Sequence, residues 1–360
     1  MRRLQVKSSA GEYKVIVGRG AWRALHRLKK YSSFFVLTEP GLWERWGNKL
    51  LCDAGWAGLR PIVVPSGERS KSLSMAGYVA SDLLEGGADR RSLLVAFGGG
   101  VVGDLGGFVA STYMRGIAYA QVPTTLLAQV DSALGGKTAV NVGGMKNLVG
   151  TFYAPRLVVS EPEVLASLPP RAFQSGLYEA VKHAILSGPA MFRWLEERVA
   201  GLQPTDTPLL EILVARAARV KVDVVSRDER EAHLRRILNL GHTYGHALEE
   251  ATGYKRFLHG EAVAWGMLMA TRLAELAGVL DSATGKRIAR LVRAVGPLPQ
   301  VRGLREEKVL GLLPRDKKAV GGKIYWVLPE GIGKVRVTPD VPDSAVAMAF
   351  RDVQRGVWNG

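Results

Sequence analysis

Residues 92–108, SLLVAFGGGVVGDLGGF, contain the pattern that decides the fold of the first half of the chain. A short apolar run is followed directly by Gly98, Gly100 and Gly103 in G-x-G-x-x-G register. Glycines after a strand permit a tight turn and a close approach of backbone to a ligand, and the amides that begin the next helix attract a diphosphate. The pattern therefore predicts a strand, a turn and a helix that bind a dinucleotide.

The dinucleotide pattern is incomplete, because no Asp or Glu lies between Leu105 and Val130, where an acid for the ribose hydroxyls is expected. The chain also has 42 glycines, so a chance match is an alternative. In that case the glycines form a turn that only packs a helix against a strand. Our prediction is a dinucleotide site with an unusual ribose contact.

Outward from this stretch, short apolar runs alternate with helix-like segments. The predicted strands are YKVIV (13–17), SFFVLT (33–38), PIVVP (61–65), SLLVAFGGG (92–100) and LVVSEP, which closes this region near residue 160. This alternation is typical of a parallel sheet with crossover helices. Beyond about residue 163 the segments are long and helix-periodic, with a predicted hairpin over 323–337. We expect an α/β Rossmann-like domain over 1–162 and a mainly α-helical domain over 163–360.

Composition restricts the class of protein. The 360 residues are 47% hydrophobic and 23% charged, which is typical of a folded globular chain of two domains. The single cysteine, Cys52, excludes an intrachain disulfide framework and favours a reducing compartment. The first residues lack the apolar core of a signal peptide, and no apolar run reaches the roughly 18 residues of a membrane span. We expect a cytoplasmic protein that does not bind a membrane.

The net charge of +16 indicates that the chain binds an anionic partner or substrate. A nucleic-acid-binding protein is one alternative, but such proteins concentrate their basic residues in a patch or tract. Here the basic residues are spread along the chain, with doublets such as Arg2-Arg3 and Lys29-Lys30 and no long basic tract. We therefore expect no nucleic-acid partner and favour a small anionic substrate.

The segment 121–147, QVPTTLLAQVDSALGGKTAVNVGGMKN, combines glycines with polar side chains that bind anions. Lysines beside flexible glycine backbone are suited to phosphate and carboxylate groups. Taken singly, each lysine could equally be a solvated surface charge. The candidate residues are Thr124, Thr125, Asp131, Lys137, Lys146 and Asn147.

A second polar segment, RDEREAHLRRILNLGHTYGHALEE (227–250), has polar side chains at helical spacing. They are Arg235, Asn239, His242 and His246. Spacings of four, three and four predict one continuous helix with these side chains along a single face. Gly241 and Gly245 lower helix stability, which indicates that another part of the chain or a ligand approaches the backbone there. The alternative is a solvated face with incidental histidines.

The two histidines of this segment raise the question of a metal. A zinc protease of the H-E-x-x-H type is disfavoured, because Thr243 stands where its glutamate is needed. One carboxylate and two histidines form a common catalytic zinc set. Spacing alone does not choose among His183, His242, His246 and His259, and Glu179 with Lys182 could be a structural ion pair one helical turn apart.

Six blocks of the sequence, in this order, resemble the 3-dehydroquinate synthase family, a branch of the sugar-phosphate cyclases. The resemblance covers about residues 60 to 320. The blocks are GGGVVGDLGGFVASTYMRG, QVPTTLLAQVDSALGGKTAVN, EAVKHA, LRRILNLGHTYGHALE, LHGEAVAWGM and RDKK.

The resemblance implies a fold, cofactors and a reaction. It implies an N-terminal Rossmann-like domain that binds NAD, a helical domain that binds Zn²⁺ or Co²⁺, and a homodimer. The substrate would be 3-deoxy-D-arabino-heptulosonate 7-phosphate of the shikimate pathway. It would be converted to 3-dehydroquinate and phosphate by transient oxidation, phosphate elimination, re-reduction, ring opening and aldol closure.

The resemblance also implies site residues. The metal ligands would be Glu179, His242 and His259, with His246 directed at the substrate. Residues of the NAD site would be Glu39, Glu68, Lys71, Gly99, Gly100, Val101, Val102, Gly103, Asp104, Thr124, Thr125, Lys137, Lys146 and Ser167. Substrate contacts would be Arg115, Asp131, Lys137, Asn147, Lys182, Lys221, Arg235, Asn239 and one of Lys317 and Lys318.

One departure concerns the ribose contact, because Thr38-Glu39 stands where the family usually has Thr-Asp. Two other enzyme classes remain as alternatives. One is a cyclase that makes a 2-deoxy-inosose or valiolone ring, and the other is a metal-dependent alcohol dehydrogenase of the glycerol dehydrogenase type. Asn147, Arg235, Asn239 and the RDKK lysines favour the dehydroquinate reaction over the other cyclases. An alcohol dehydrogenase would not need the lysine-rich phosphate site.

Overall fold

The computed structural model describes residues 1–313 and 324–358 of the chain. By contacts between Cα atoms, the chain divides into two compact units. The first unit contains Met1–Leu168 and Pro204–Arg230, and the second contains Pro169–Gln203 and Glu231–Gly360. Among the described residues, no helix combines the length and the apolar character that a membrane crossing requires.

Eleven strands lie in the described residues. They are β1 (Arg2–Ser8), β2 (Gly11–Val17), β3 (Phe34–Thr38), β4 (Pro61–Val63), β5 (Leu93–Gly98), β6 (Ala118–Pro123), β7 (Lys137–Val142), β8 (Met145–Phe152), β9 (Leu157–Ser160), β10 (Trp326–Gly331) and β11 (Lys334–Thr338). The five strands predicted for the first half are present within a few residues of their expected bounds. The predicted C-terminal hairpin is present as β10 and β11, although its first residue, 323, lies outside the described residues.

Eleven α-helices lie in the same residues. They are α1 (Pro40–Ala54), α2 (Leu73–Glu85), α3 (Gly100–Thr112), α4 (Pro170–Ser187), α5 (Pro189–Glu196), α6 (Thr207–Val225), α7 (His242–Ala251), α8 (His259–Leu276), α9 (Ser282–Ala294), α10 (Glu306–Leu310) and α11 (Asp343–Arg355). Local signals explain several ends. Pro40 begins α1, which ends before a left-handed Gly55, and the Ser72 side chain accepts a hydrogen bond from the Met75 amide at the start of α2.

The sheet of the first unit has seven strands in the order β1-β2-β9-β6-β5-β3-β4. Only β1 and β2 pair antiparallel, and the other neighbours pair parallel. Strands β5, β6 and β9 are buried along their whole length, as expected for a parallel sheet covered on both faces. Apolar residues of α2 and α3 pack on β3 and β5 in one continuous core. The predicted α/β, Rossmann-like architecture is confirmed.

Helix α6 is part of the first unit although it follows α4 and α5 in sequence. It packs on β1 and on the π-helical turn Ala128–Ser132. The predicted boundary between 162 and 163 assigned everything after it to one domain. Helical periodicity shows that α6 has an apolar face, but it does not show which element that face packs against. The division into domains 1–162 and 163–360 stays a prediction. The compact units differ from it at residues 163–168 and at Pro204–Arg230, which both belong to the first unit.

Glu161 holds the start of a helical turn against the sheet in the first unit. It follows β9, and its carboxylate accepts hydrogen bonds from the Gly20 and Ala21 amides at the start of the 3-10 helix Ala21–Leu28. Its other oxygen accepts no hydrogen bond from the described residues. Burial raises the pKa of Glu161 to about 7, and the two amides reduce that shift.

The second unit is built around α8, which is buried along almost its whole length. Helices α4, α7, α9 and α11 and strand β10 all pack against it. The hairpin of β10 and β11 is the sheet that the structure describes in this unit. The predicted mainly helical character of the C-terminal part is confirmed.

Candidate active site

The glycine-rich turn lies where the sequence places it. Strand β5 ends at Gly98 and α3 begins at Gly100, with Gly99 in extended backbone between them. The first turn of α3 has no acidic side chain, so its open amides can receive an anion. The Thr124 amide donates to the Gly98 carbonyl at 3.0 Å, which joins the turn to the end of β6.

The other predicted nucleotide residues also follow the carboxyl ends of parallel strands in the first unit. Glu39 follows β3, Glu68 and Lys71 follow β4, Thr124 and Thr125 follow β6, and Ser167 follows β9 in a 3-10 helix. Ligands of open parallel sheets bind at this edge. Ser167 Oγ accepts a hydrogen bond from the Trp46 indole at 3.0 Å. The structure thus gathers residues that are up to 128 positions apart in sequence at one sheet edge.

Lys71 is the centre of a polar network at this edge. The residue is 5% exposed and its ammonium group donates to Asp104 on α3 and to Asn147 on β8. Burial raises the pKa of Asp104, although the Lys71 charge acts in the opposite direction. Glu68 accepts a hydrogen bond from Asn141 at 2.8 Å. The network fixes the hairpin of β7 and β8 to the residues that follow β4.

Lys221 and Asp131 form an ion pair of 2.6 Å within the first unit. Lys221 comes from α6 and is 8% exposed, and Asp131 lies in the π-helical turn Ala128–Ser132. The structure thus brings together two predicted substrate contacts that are 90 residues apart. Two further predicted residues, Lys137 and Lys146, lie on the hairpin of β7 and β8.

Arg115 is not brought to the glycine turn. It follows the end of α3, and the 13 residues of that helix separate it from Gly100 by about 20 Å. Its side chain is exposed and its backbone is left-handed, with φ of 68°. Lys317 and Lys318, the remaining predicted substrate contacts, lie outside the described residues.

The three predicted metal ligands converge in the second unit. Glu179 comes from α4, His242 from α7 and His259 from α8. The Glu179 Oε1 atom lies 3.8 Å from His242 Nε2 and 3.6 Å from His259 Nε2. The other carboxylate oxygen lies 2.5 Å from Lys182 Nζ. The Glu179–Lys182 ion pair and the facing histidines therefore use different oxygens of one buried carboxylate.

Close helix packing explains why these three side chains meet. A Cβ on Gly260 of α8 would lie 1.9 Å from the Ser175 carbonyl oxygen of α4, and one on Gly266 would lie 1.8 Å from the Gly241 carbonyl oxygen. Only glycine permits these backbones to approach so closely. Gly241 is itself left-handed, with φ of 80°. The close approach to the backbone that Gly241 and Gly245 indicated is confirmed, and the approaching segment is α8.

The predicted continuous helix from Arg235 to His246 is wrong. Residues Leu234–Asn239 form a 3-10 helix, and α7 begins only at His242, after the left-handed Gly241. The turn is required because α8 passes directly over this backbone. Arg235 is 2% exposed. The predicted shared face of His242 and His246 is confirmed, with ring centroids 5.5 Å apart on α7.

Both candidate histidine ligands have their second ring nitrogen engaged. His242 Nδ1 lies 3.2 Å from the Leu240 carbonyl oxygen, and His259 Nδ1 lies 3.2 Å from Glu249 Oε2. With the proton on Nδ1, each ring directs the Nε2 lone pair at Glu179. Burial lowers the pKa of His259, but the hydrogen bond and charge of Glu249 and the charge of Glu179 outweigh it and raise that pKa.

The donor set fits a divalent metal ion. Ligand atoms of the three residues lie within 4.8 Å of one another. Atoms bound tetrahedrally to zinc are about 3.4 Å apart, which is close to the separations found here. Oε1 of Glu179 accepts no hydrogen bond from the described residues although it is fully buried. A cation between this oxygen and the two Nε2 atoms would satisfy all three groups.

Two acids at this site were missed from the sequence. Glu249 is 3% exposed and contacts His259. Glu231 accepts a hydrogen bond from the Asn239 amide nitrogen at 2.6 Å. Glu249 lies three residues after His246 in the predicted helix, so the helical spacing was the available signal, but nothing in sequence separates it from Glu250.

The chain has the architecture of a sugar-phosphate cyclase. It combines a parallel sheet that carries a glycine turn with a helical unit that carries a carboxylate and two histidines. A 2-deoxy-scyllo-inosose synthase, solved with carbaglucose-6-phosphate, NAD⁺ and Co²⁺, has a TM-score of 0.87 at 26% identity, over 98% of this chain and 99% of that one. ValA, the 2-epi-5-epi-valiolone synthase of Streptomyces hygroscopicus subsp. jinggangensis 5008, solved with NAD⁺ and Zn²⁺, has a TM-score of 0.87 at 26% identity, over 96% and 97%.

The chain belongs to the 3-dehydroquinate synthase family. Family models match its N-terminal part over residues 61–175 and its C-terminal part over 176–319. The 3-dehydroquinate synthase of Koribacter versatilis is 44% identical over 98% of both chains. That of Solibacter usitatus is 42% identical over 94% of this chain and 96% of its own. A probable glycerol dehydrogenase from Sinorhizobium meliloti, 17% identical with a TM-score of 0.63 over 95% and 96%, shares the fold alone.

Proposed function

We propose that the chain converts 3-deoxy-D-arabino-heptulosonate 7-phosphate into 3-dehydroquinate and phosphate, as an enzyme of the shikimate pathway. The observation that carries the proposal is the full-length similarity to 3-dehydroquinate synthases at 40–44% identity. The Glu179–His242–His259 cluster and the glycine turn supply the two kinds of site that this reaction needs. A cyclase of the inosose or valiolone type is the second candidate, at 26% identity.

NAD is the proposed dinucleotide, and when bound it would supply a reversible hydride acceptor. Its diphosphate would lie against the amides of Gly99–Asp104, and Lys71 would hold Asp104 and the adjoining hairpin in place. Glu39 is the proposed ribose acid. Its position supports this role, because β3 is the neighbour of β5 in the sheet. The sequence has no such acid downstream of Leu105. The strand beside β5 that Glu39 follows, β3, precedes β5 in the chain, so the proposed acid also comes earlier in the sequence.

Glu179, His242 and His259 are the proposed ligands of Zn²⁺ or Co²⁺. When bound, the metal would act as a Lewis acid that polarises the hydroxyl and ketone oxygens of the substrate. The chain's own charges support an anionic substrate. We propose that Lys137, Asn147 and Arg235 hold the phosphate or ring oxygens, and that His246 moves a proton during elimination.

The remaining proposed contacts are Asp131, Lys182, Lys221 and Asn239. Each has a contact that fixes its side chain, since Asp131 pairs with Lys221, Lys182 with Glu179 and Asn239 with Glu231. Groups held in this way lose little entropy when they bind a substrate, which favours positioning of a flexible sugar acid.

We also propose a homodimer in the cytoplasm. Arg115 supports the dimer, because an exposed arginine at the far end of α3 from the glycine turn would serve the active site of a second copy. Co-expression of Arg115→Ala with Glu179→Gln tests this point. Random pairing should restore about one quarter of the wild-type rate if sites are shared, and no activity if each chain works alone.

Phosphate release tests the proposed reaction. The metal-free chain is incubated with the heptulosonate phosphate and with NAD, Zn²⁺, both or neither. We expect rapid release only with both, and loss of release after addition of a chelator. A hexose 6-phosphate serves as the second substrate. Release from the hexose phosphate alone would support the inosose-type cyclase, and release from neither substrate would contradict both the proposed reaction and the inosose-type alternative.

A further inference from the structure

Glu249 is a buried acid that the proposed reaction does not use. It lies on α7, 3% exposed, on the same helix as His242 and His246. Its Oε2 atom lies 3.2 Å from His259 Nδ1, while the opposite ring nitrogen, Nε2, lies 3.6 Å from Glu179 Oε1. The His259 ring therefore stands between two carboxylates. A buried carboxylate is costly unless it has a partner, and here the partner is a candidate metal ligand.

The two ring nitrogens of His259 have different roles. In a neutral imidazole one ring nitrogen carries a proton and the other carries a lone pair. Only the nitrogen with the lone pair can bind a metal. A proton on Nδ1, donated to Glu249, leaves the Nε2 lone pair directed at Glu179. The opposite tautomer would place a proton between Nε2 and Glu179, where it blocks the metal. Glu249 thus selects the tautomer that can bind.

His242 shows the same arrangement with a different acceptor. Its Nδ1 faces the Leu240 carbonyl oxygen, which the backbone turn before Gly241 fixes in place. His259 is at the first residue of α8, and its Nδ1 faces a side chain of α7 instead. One ligand is therefore oriented by backbone that no substitution removes, and the other by a side chain that a substitution can remove.

We infer that Glu249 is a positioning residue of the metal centre, which holds His259 in the ring orientation and tautomer that bind the ion through Nε2. The inference rests on the metal centre proposed above. Carboxylates behind ligating histidines fix the ring and make it a stronger donor, and their loss weakens metal binding by about 10- to 100-fold.

A competing arrangement uses the same side chain as a ligand. His246, Glu249 and His259 also have ligand atoms within 4.8 Å of one another. Because Glu249 faces Nδ1 of His259, a metal shared by these two side chains would take the Nδ1 lone pair. A neutral His259 ring could then not also offer a lone pair at Nε2 to a metal beside Glu179, so the two arrangements exclude each other. The first is favoured because His242 already directs Nε2 at Glu179, and because Glu179 Oε1 accepts no hydrogen bond from the described residues.

The test measures metal affinity in the full-length chain, by competition of Co²⁺ and Zn²⁺ with a chromophoric chelator. Glu249→Ala removes the acceptor, and Glu249→Gln keeps a neutral acceptor of the same size. Glu250→Ala is the matched control, because Glu250 is the adjacent, exposed acid of the same helix. We expect Glu249→Ala to bind metal about 10- to 100-fold more weakly, Glu249→Gln to recover part of that loss, and Glu250→Ala to match the wild type.

The Co²⁺ absorption spectrum separates a positioning role from a ligand role. Saturated Glu249→Ala should give the wild-type spectrum, since the ligand atoms are unchanged. Unchanged affinity in Glu249→Ala, or a spectrum of altered coordination, would overturn the inference. Glu179→Gln identifies which proposal has failed. If Glu179→Gln also binds metal as the wild type does, the metal centre itself is wrong, whereas weak binding by Glu179→Gln alone would contradict only the role of Glu249.

Discussion

The glycine turn of the first unit and the histidine cluster of the second are built in opposite ways. The turn is local, because β5, Gly98–Gly100 and α3 are consecutive in sequence and each forms by its own pattern. The cluster is assembled from α4, α7 and α8, with its ligands up to 80 residues apart. Its geometry depends on Gly260 and Gly266 of α8, which have no side chain that could bind a ligand. A local site can therefore be read from a motif, whereas the cluster depends on helix packing.

The largest expected effect is the loss of a cluster ligand. Glu179→Gln keeps the size of the side chain and removes the charge that a divalent metal needs. We expect phosphate release to fall by about 1000-fold or more, which corresponds to about 4 kcal/mol of transition-state stabilisation. NAD binding, followed by fluorescence or calorimetry, should stay at the wild-type level because the glycine turn is in the other unit. Wild-type turnover in this variant would show that the cluster is not catalytic.

The second prediction breaks the packing rather than the chemistry. In Gly266→Ala the new Cβ would lie 1.8 Å from the Gly241 carbonyl oxygen, so α7 and α8 must separate. We expect about 3 kcal/mol or more of lost stability, together with weaker metal binding. Urea unfolding and chelator competition measure the two effects.

Gly77→Ala is the control for that substitution. Gly77 is an exposed glycine inside α2 of the first unit, and a Cβ there would meet nothing within 4 Å. This variant should be more stable than the wild type by up to about 1 kcal/mol. Equal behaviour of the two alanine variants would contradict the packing account of the cluster.

The third prediction separates the two histidines of α7. His246→Ala should slow phosphate release by about 100-fold, which is a common contribution of a proton-transferring group. Metal content after gel filtration should remain that of the wild type, because His242 is the proposed ligand and His246 is not. Full activity would exclude the proton role, and loss of metal would favour the competing triad with Glu249.

The fourth prediction concerns the first unit and pH. The Glu161 pKa of about 7 in the folded chain lies above the ordinary value of 4.5, so the folded state binds more protons between these two values. Stability contributed by protonated Glu161 is therefore present at low pH and is lost as pH rises through 7. Between pH 5 and pH 8, wild type should lose about 2 kcal/mol relative to Glu161→Gln. A difference in urea midpoints that does not change with pH would contradict this origin.

Much of the fold follows from patterns that the sequence displays directly. Strands β3, β4, β5 and β9 are short apolar runs between turn residues, and α1, α2 and α8 are periodic segments with clear ends. Strand β1 was missed because RRLQVKS has few apolar residues and its pairing with β2 is visible only in the structure. The hairpin of β7 and β8 was missed because KTAVNV and MKNLVGTF lack the regular apolar–polar alternation that indicates a half-buried strand.

The site was less predictable than the fold, for reasons of tertiary packing. Spacing identified the histidines but could not choose among four of them, and the resemblance made that choice. The break at Gly241 depends on the passage of α8, which no property of the local segment reports. Glu249 and Glu250 are adjacent and chemically identical, and only burial separates the acid that contacts His259 from the one in solvent.

The metal centre can be located by anomalous diffraction at the zinc absorption edge, with crystals of the full-length chain grown in the presence of Zn²⁺. We expect one strong peak within about 2.2 Å of Glu179 Oε1, His242 Nε2 and His259 Nε2. His259 Nδ1 should remain in contact with Glu249. A peak between His246, Glu249 and His259, or no peak at either triad, would contradict the assignment of Glu179, His242 and His259 as the metal ligands.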